Sequence, residues 1–429
     1  MKEDFLHYIW KSGQFSQQHL LTTEGETIDI RYPGTHNMDA GPDFFNARIK
    51  IGDFLWAGNV EIHLKAGDWY KHKHQFDTTY DNIILHVVFN DDEPVYRSNG
   101  EMMPTLILND RIEESIRKKY LDLIQSGHQQ IPCEQKIKEV PTLLLQLWFD
   151  RLLVERLEER SKFIQEQLEQ TRNNWEEVFY RMLARSFGFR VNNIPFQILA
   201  EQLPYTLIIK ERKDLTSIES LLYGQAGLLD EKNNDPYYKK LRRHFEILQA
   251  KYKLVKLQPG MWKFGKMRPP NFPTIRIAQF AMLWHRNERL FHKLIGAQTI
   301  EELYRILDVE ASDYWYLHYS FSTASKAGIK KIGKDSIENL IINCIAPFAF
   351  LYGKHHRQEA LMEKAISWIE SMPAEKNKIT EMWYRLGLSI RDAGCSQSIL
   401  HLKKFYCDHK NCVNCAIGNH LLTKHESAS

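Results

Sequence analysis

The spacing of hydrophobic residues changes near residue 140, and this change constrains the fold more than any other feature. Before it, apolar residues alternate with polar ones or form short runs, which is typical of strands, as in ETIDIRY, FFNARIKI, FLWAGNVEIHLK and NIILHVVF. From about Pro141 onward they recur every three or four residues, as in TLLLQLWFDRLLVERLEERSKFIQEQLEQ. The sequence therefore predicts an α+β region followed by an all-helical region.

The α+β region predicts a definite order of elements. A short helix over EDFLHYIWKSGQF precedes three strands, and Gly52-Asp53 suits a tight turn between the second and third strands. A helix-like segment, GDWYKHKH, leads to the buried strand NIILHVVF, and Asn99-Gly100 marks a final hairpin. Up to the buried strand, the predicted order is αβββαβ.

Composition excludes several classes of protein. Of the 429 residues, 43% are hydrophobic, so disorder is not expected, and a net charge of +3 does not by itself indicate a nucleic-acid binder. Glu3 and Asp4 argue against a signal peptide, and no stretch approaches the roughly 18 apolar residues that span a bilayer. We therefore expect a cytoplasmic protein with no membrane segment.

An acid, an imidazole and an ammonium group share one face of the third strand. Side chains alternate along a strand, so Glu61, His63 and Lys65 face one way and Ile62 the other. Asp43 stands at the start of the preceding strand, where a hairpin brings it towards Glu61. Two adjacent carboxylates repel unless a cation lies between them, and Mg²⁺ prefers such oxygen ligands. The sequence therefore predicts a magnesium site at Asp43 and Glu61.

The same residues resemble the signature of the PD-(D/E)XK nuclease superfamily, over roughly residues 3–90. The resemblance implies a restriction-endonuclease-like αβββαβ fold, in which Asp43 and Glu61 bind the metal and a lysine helps to activate water. His63 stands at the lysine position, and Lys65 lies two residues further on. We expect His63 and Lys65 to orient or deprotonate the water, with His86 supporting the site.

The sequence is compatible with three functions. The first is a metal-dependent nuclease that hydrolyses phosphodiester bonds of DNA or RNA, with nucleic acid as its partner. The second is a catalytically degenerate nucleic-acid-binding or scaffolding protein. The third is a Zn²⁺-dependent hydrolase that uses the neighbouring histidines, although His72 and His74 are expected to be solvent-facing turn residues.

The whole chain also resembles an uncharacterised bacterial family, a domain of unknown function. The segments that carry this resemblance are GPDFFNARI, GNVEIHL, DW, ILHVV and the terminal CAIG. The resemblance implies no activity.

Four of the six cysteines lie near the C-terminus and predict a metal site. Cys407, Cys412 and Cys415 have the spacing C-x4-C-x2-C, and Cys395 precedes them. Four thiolates bind Zn²⁺ or an iron–sulfur cluster, and we expect a structural role. Cys133 and Cys344 are isolated in sequence and are expected to be ordinary residues.

One loop of the helical region combines cations with aromatic residues. It suits phosphate binding and base stacking, or else it is an ordered loop whose aromatic residues fill the core. The predicted domains are residues 1–135, 136–390 and 391–429. The candidate nucleic-acid-binding residues of the loop are Trp262, Lys263, Lys266, Arg268 and Arg276.

Overall fold

A computed structural model describes residues 1–37, 39–125, 130–230, 232–257 and 260–424 of the chain. The chain divides into two compact units. The first unit comprises Met1–Trp148, Arg385–Gly387 and Leu402–Ser429, and the second comprises Phe149–Tyr384 and Leu388–His401. The terminal segment that carries Cys407, Cys412 and Cys415 thus belongs to the first unit.

The first unit contains a mixed sheet. Its strands in the described part of the chain are β1 (Ile28–Tyr32), β2 (Thr35–His36), β3 (Phe44–Ile51), β4 (Phe54–Lys65), β5 (Ile83–Asn90) and β6 (Thr105–Ile107). The strand order is β1-β3-β4-β5-β6, with β2 paired to β3. β1, β3 and β4 pair antiparallel, whereas β4, β5 and β6 pair parallel. The helices of this unit are α1 (Glu3–Ser12), α2 (Asp68–Lys71), α3 (Glu114–Ile124) and, near the C-terminus, α18 (Ala416–Thr423).

Local sequence explains the turns of this sheet. Gly52 has a φ of 59° in the turn that joins Ile51 to its partner Phe54, as the predicted hairpin requires. The final hairpin is short, with a single bridge between Tyr96 and Met102, because the chain then enters β6 and pairs parallel to β5. The predicted sequence of helix, three main strands, helical segment and buried strand is confirmed.

The register between β4 and β5 positions the polar residues of both strands. Glu61 pairs with His86, and His63 pairs with Val88, so the side chains of Glu61, His63 and His86 share one face. The first half of β4 is mainly exposed, whereas its residues from Val60 to His63 are buried. The polar residues therefore lie in the covered half of the strand.

The second unit is largely helical. A short antiparallel pair, β7 (His318–Ser320) and β8 (Thr323–Ala324), accompanies its helices. α4 (Thr142–Gln170) begins before the unit boundary. The other helices are α5 (Trp175–Phe187), α6 (Phe189–Gln202), α7 (Tyr205–Glu211), α8 (Leu215–Gln225), α9 (Pro236–Tyr252), α10 (Pro273–Arg286), α11 (Leu290–Gly296), α12 (Ile300–Leu307), α13 (Lys334–Leu340), α14 (Ala346–His355), α15 (Glu359–Glu370), α16 (Lys378–Arg385) and α17 (Ala393–Leu402).

One helical run of this unit has the length and composition of a membrane span. It covers Lys334–His355, and 72% of its most apolar window is buried inside the structure. Polar residues interrupt this run, so no continuous apolar stretch marks it in the sequence. Its burial inside the structure is that of a core helix.

The contact between α8 and α9 gives a test of the helical packing. A Cβ at Gly224 would lie 2.1–2.4 Å from ring atoms of Phe245, so Gly224→Ala forces these helices apart. We expect this substitution to lower the free energy of unfolding by about 1–3 kcal/mol in urea denaturation. Gly296→Ala is the control, because a Cβ there meets open space at the end of α11. Equal stability of the two variants would contradict the packing.

Candidate metal centre

Three histidines of the first unit bring their ring nitrogens together. His63 lies on β4, His72 follows α2, and His74 begins the next turn. One nitrogen from each ring lies within 4.8 Å of the others, and His63 Nε2 is 3.1 Å from His72 Nδ1. Within the described ranges, no other group of three histidine, cysteine or acidic residues is as compact. The three imidazoles can therefore donate to one cation.

Glu61 adds a carboxylate to this group. Its Oε1 lies 3.2 Å from His74 Nε2 and 3.7 Å from His63 Nε2, and the residue is only 4% exposed. Three imidazoles and one carboxylate form a nitrogen-rich donor set that suits Zn²⁺ and related transition metals better than Mg²⁺. We call Glu61, His63, His72 and His74 the histidine centre.

Asp43 lies beside Glu61, where the sequence places it. The Asp43 backbone N–H donates to Glu61 Oε2 at 3.2 Å, and Asp43 Oδ2 accepts from the Ile62 N–H at 2.8 Å. Burial, followed by the charge of Asp43, raises the pKa of Glu61 to about 9. The two carboxylates thus converge, and a cation would allow both to ionise.

His86 orients His63 from the neighbouring strand. His86 Nε2 lies 2.8 Å from His63 Nδ1, and both rings are buried. In the tautomer that leaves His63 Nε2 free to bind a cation, Nδ1–H donates to His86. Burial, followed by the neighbouring histidines, lowers the pKa of His63 to about 2, and burial lowers that of His86 to about 3. Both shifts favour the neutral form of the rings, which is the form that binds a cation.

The other residue expected to act on water, Lys65, lies at the exposed end of β4. Among the described contacts, its side chain forms no hydrogen bond or ion pair with Asp43 or Glu61. The structure does not bring Lys65 into the centre, because the buried part of β4 ends before this residue.

The sequence did not predict that His74 belongs to the histidine centre, nor that Glu3 and His7 lie beside it. His74 was expected to face solvent, but its side chain is only 10% exposed and its ring stacks on Tyr80 at 3.8 Å. His7 Nε2 lies 3.3 Å from Asp43 Oδ2, and burial followed by Asp43 raises the pKa of Glu3 to about 7. Glu3 and His7 are four residues apart and so share a face of α1, which was the available signal.

The cationic loop is partly buried in the second unit. Trp262 is 7% exposed, and its Nε1–H donates to the Ala226 carbonyl, so the ring fills the core and is not available to stack a base. Arg276 is also buried, and its guanidinium donates hydrogen bonds to the side chains of Asn271 and Ser336. Of the five candidate nucleic-acid-binding residues, those that remain exposed are Lys263, Lys266 and Arg268.

The four cysteines that the sequence groups together do not all belong to one unit. Cys395 lies in α17 of the second unit, whereas Cys407, Cys412 and Cys415 lie in the first unit. Cys133, which the sequence gave no reason to include, belongs to the first unit and interacts electrostatically with Cys412 and Cys415.

Cation binding tests the histidine centre directly. We expect Co²⁺, a spectroscopic probe for zinc sites, to bind with a spectrum of nitrogen and oxygen ligands. His72→Ala should weaken binding by more than the roughly 10–100-fold typical of losing a residue that only orients a ligand. Titration followed by visible absorption measures both effects. His292→Ala, an exposed histidine of the second unit, should bind as wild type does, and equal binding by His72→Ala would contradict the site.

Comparison with known proteins identifies a family but no activity. A family model described as "Protein of unknown function (DUF2851)" matches residues 3–378 and confirms the resemblance to a domain of unknown function. No curated protein and no solved structure matches the chain. The matched region includes the histidine centre and ends before Cys395.

Proposed function

The chain belongs to this family of unknown function, and we propose that it is a metal-dependent hydrolase of nucleic-acid phosphodiesters. The grouping of His63, His72 and His74, with the Glu61 carboxylate beside His63 and His74, carries the proposal. Clusters of buried titratable groups with strongly shifted pKa values are typical of active sites. The six cysteines, none of them in a disulfide, support a cytoplasmic location as part of the same proposal.

The topology supports phosphodiesters as the substrate class. A helix, three antiparallel strands, a helical segment and a parallel strand follow one another in the order of PD-(D/E)XK nucleases, which the sequence resembles. Asp43 precedes β3 and Glu61 lies on β4, at the positions that carry the metal-binding acids in that resemblance. We therefore include a restriction-endonuclease-like fold of the first unit in the proposal.

The donor set changes the metal that we propose. The sequence favours Mg²⁺ at Asp43 and Glu61, but three imidazoles beside Glu61 fit Zn²⁺ or Mn²⁺ better. A divalent cation supplies a water of lowered pKa and polarises a phosphoryl oxygen. Glu61 and the three histidines hold the cation, and His86 fixes the ring of His63.

Asp43 and His7 complete the proposed site. Asp43 Oδ2 accepts from the Ile62 N–H and lies next to His7 Nε2. Although burial opposes it, the hydrogen bond to Asp43 raises the pKa of His7. Asp43 therefore favours the protonated form of His7 at the edge of the histidine centre.

Cleavage assays test this function. Wild-type protein supplied with Zn²⁺, Mn²⁺ or Mg²⁺ is offered single- and double-stranded DNA and RNA. We expect cleavage with Zn²⁺ or Mn²⁺ and at least a roughly 100-fold lower rate for Glu61→Gln and His72→Ala, because losing the metal removes several kcal/mol of transition-state stabilisation.

The controls separate this function from its alternatives. His292→Ala should retain the wild-type rate. Equal rates in wild type, Glu61→Gln and His72→Ala would identify a contaminating nuclease and contradict the proposal. Cation binding without cleavage of any of these polymers would also contradict it, and would leave the catalytically degenerate protein and the Zn²⁺-dependent hydrolase of another substrate.

A further inference from the structure

Four cysteines of the first unit form a second candidate site, separate from the histidine centre. Cys133 lies in a turn before Ile137–Glu139, Cys407 ends the π-helical segment Lys403–Cys407, and Cys412 and Cys415 precede α18. Cys133, Cys412 and Cys415 are buried, Cys407 is partly buried, and none is in a disulfide. We call these four residues the cysteine cluster.

Hydrogen bonds hold the two segments of the cysteine cluster side by side. Lys410 Nζ donates to the Ile124 carbonyl at 2.5 Å, and Lys424 Nζ lies 3.0 Å from Glu139 Oε2. Ile124 and Glu139 flank Cys133 in sequence, whereas Lys410 and Lys424 flank Cys412 and Cys415. The terminal segment therefore contacts the chain on both sides of Cys133, at Ile124 and at Glu139.

The backbone around the terminal cysteines is also closely fitted. The Cys415 N–H donates to the Cys412 carbonyl at 3.3 Å, and α18 begins at the next residue. A Cβ at Gly418 would lie 2.1 Å from the Cys412 carbonyl oxygen, so only glycine lets α18 approach this loop. The glycine of the CAIG segment thus shapes the loop that presents Cys412 and Cys415.

The thiols of the cysteine cluster interact with one another. Burial, followed by Cys415, raises the pKa of Cys412 to about 12. Burial likewise raises the pKa of Cys133 and of Cys407, and each is raised further by other members of the cluster. By contrast, the neighbours that affect the pKa of Cys395, besides its burial, are Arg391 and Asp392. Buried thiols grouped in this way suit a cation that binds them as thiolates.

The spacing of the sulfur atoms distinguishes between metals. A Zn–S bond of about 2.3 Å sets sulfur atoms about 3.8 Å apart around a tetrahedral ion. In the described part of the chain, no three of these sulfur atoms lie within 4.8 Å of one another. An iron–sulfur cluster does not gather three cysteines on one ion, because each iron of a [2Fe–2S] cluster binds two of them and each iron of a [4Fe–4S] cluster binds one. The spacing C-x4-C-x2-C is that of a ferredoxin, in which the fourth cysteine lies downstream.

We propose that Cys133, Cys407, Cys412 and Cys415 bind an iron–sulfur cluster, with Cys133 in place of Cys395 as the fourth ligand. The cluster fastens the terminal segment to the region around Cys133 within the first unit. None of its four ligands belongs to the histidine centre, so it stands independently of the proposed function.

Anaerobic purification of the full chain tests the proposal. Wild-type protein should carry iron and acid-labile sulfide in equal amounts, with broad visible absorption, and iron-edge X-ray absorption should show sulfur ligands and iron–iron scattering. Cys133→Ser should lose most of the iron and sulfide, whereas the matched variant Cys395→Ser should keep the wild-type content. Iron, sulfide and zinc are measured on all three proteins.

Several outcomes would overturn the proposal. Stoichiometric zinc without sulfide in the wild type contradicts the cluster, as does the absence of both metals. Equal loss of iron in Cys395→Ser and Cys133→Ser contradicts the assignment of the fourth ligand. The X-ray absorption of the wild type does not depend on the folding of any variant, so the result stands even where Cys133→Ser is unstable.

Discussion

The parallel pairing of β4 with β5 is the constraint on which the histidine centre depends. The register that sets Glu61 opposite His86 turns Glu61, His63 and His86 to one face of the sheet. A shift of one residue in β5 would turn His86 to the opposite face and leave His63 Nδ1 buried without its partner. Since an unpaired buried polar atom costs roughly 1–3 kcal/mol, the His63–His86 contact and the strand register stabilise each other.

The sequence predicts those parts of the site that follow from strand geometry. Alternation along β4 places Glu61 with His63, and the hairpin with β3 brings Asp43 to Glu61, as observed. It could not predict how the turns after α2 return over the sheet, because that path depends on the packing of Trp69 and Tyr80 rather than on local periodicity. The sequence therefore assigns both His72 and His74 to solvent. His72 is indeed exposed, whereas His74 contacts Glu61.

The cysteines show the same limit over a longer distance. A spacing such as C-x4-C-x2-C can be read from the sequence because all three residues lie in one loop. In the proposed cluster the fourth ligand, Cys133, is far away in the chain, whereas Cys395 is the nearest cysteine to the loop in sequence. Lys410 and Lys424 of the terminal segment form hydrogen bonds with Ile124 and Glu139, on either side of Cys133. No sequence pattern predicts these contacts.

The histidine centre and the cysteine cluster offer different donor atoms and therefore suit different metals. Imidazole and carboxylate ligands suit Zn²⁺ and Mn²⁺, whereas thiolates suit zinc and iron–sulfur clusters. Each set draws its ligands from the first unit, yet they share no residue. A thiolate beside Glu61 would compete for a cation that must keep an open position for water, whereas a structural cluster needs every position filled by protein. Under the two proposals, keeping thiolates out of the histidine centre would let one unit hold a reactive cation and a structural cluster, and the cysteines of this unit lie on the terminal loop and the Cys133 turn rather than on β4 or β5.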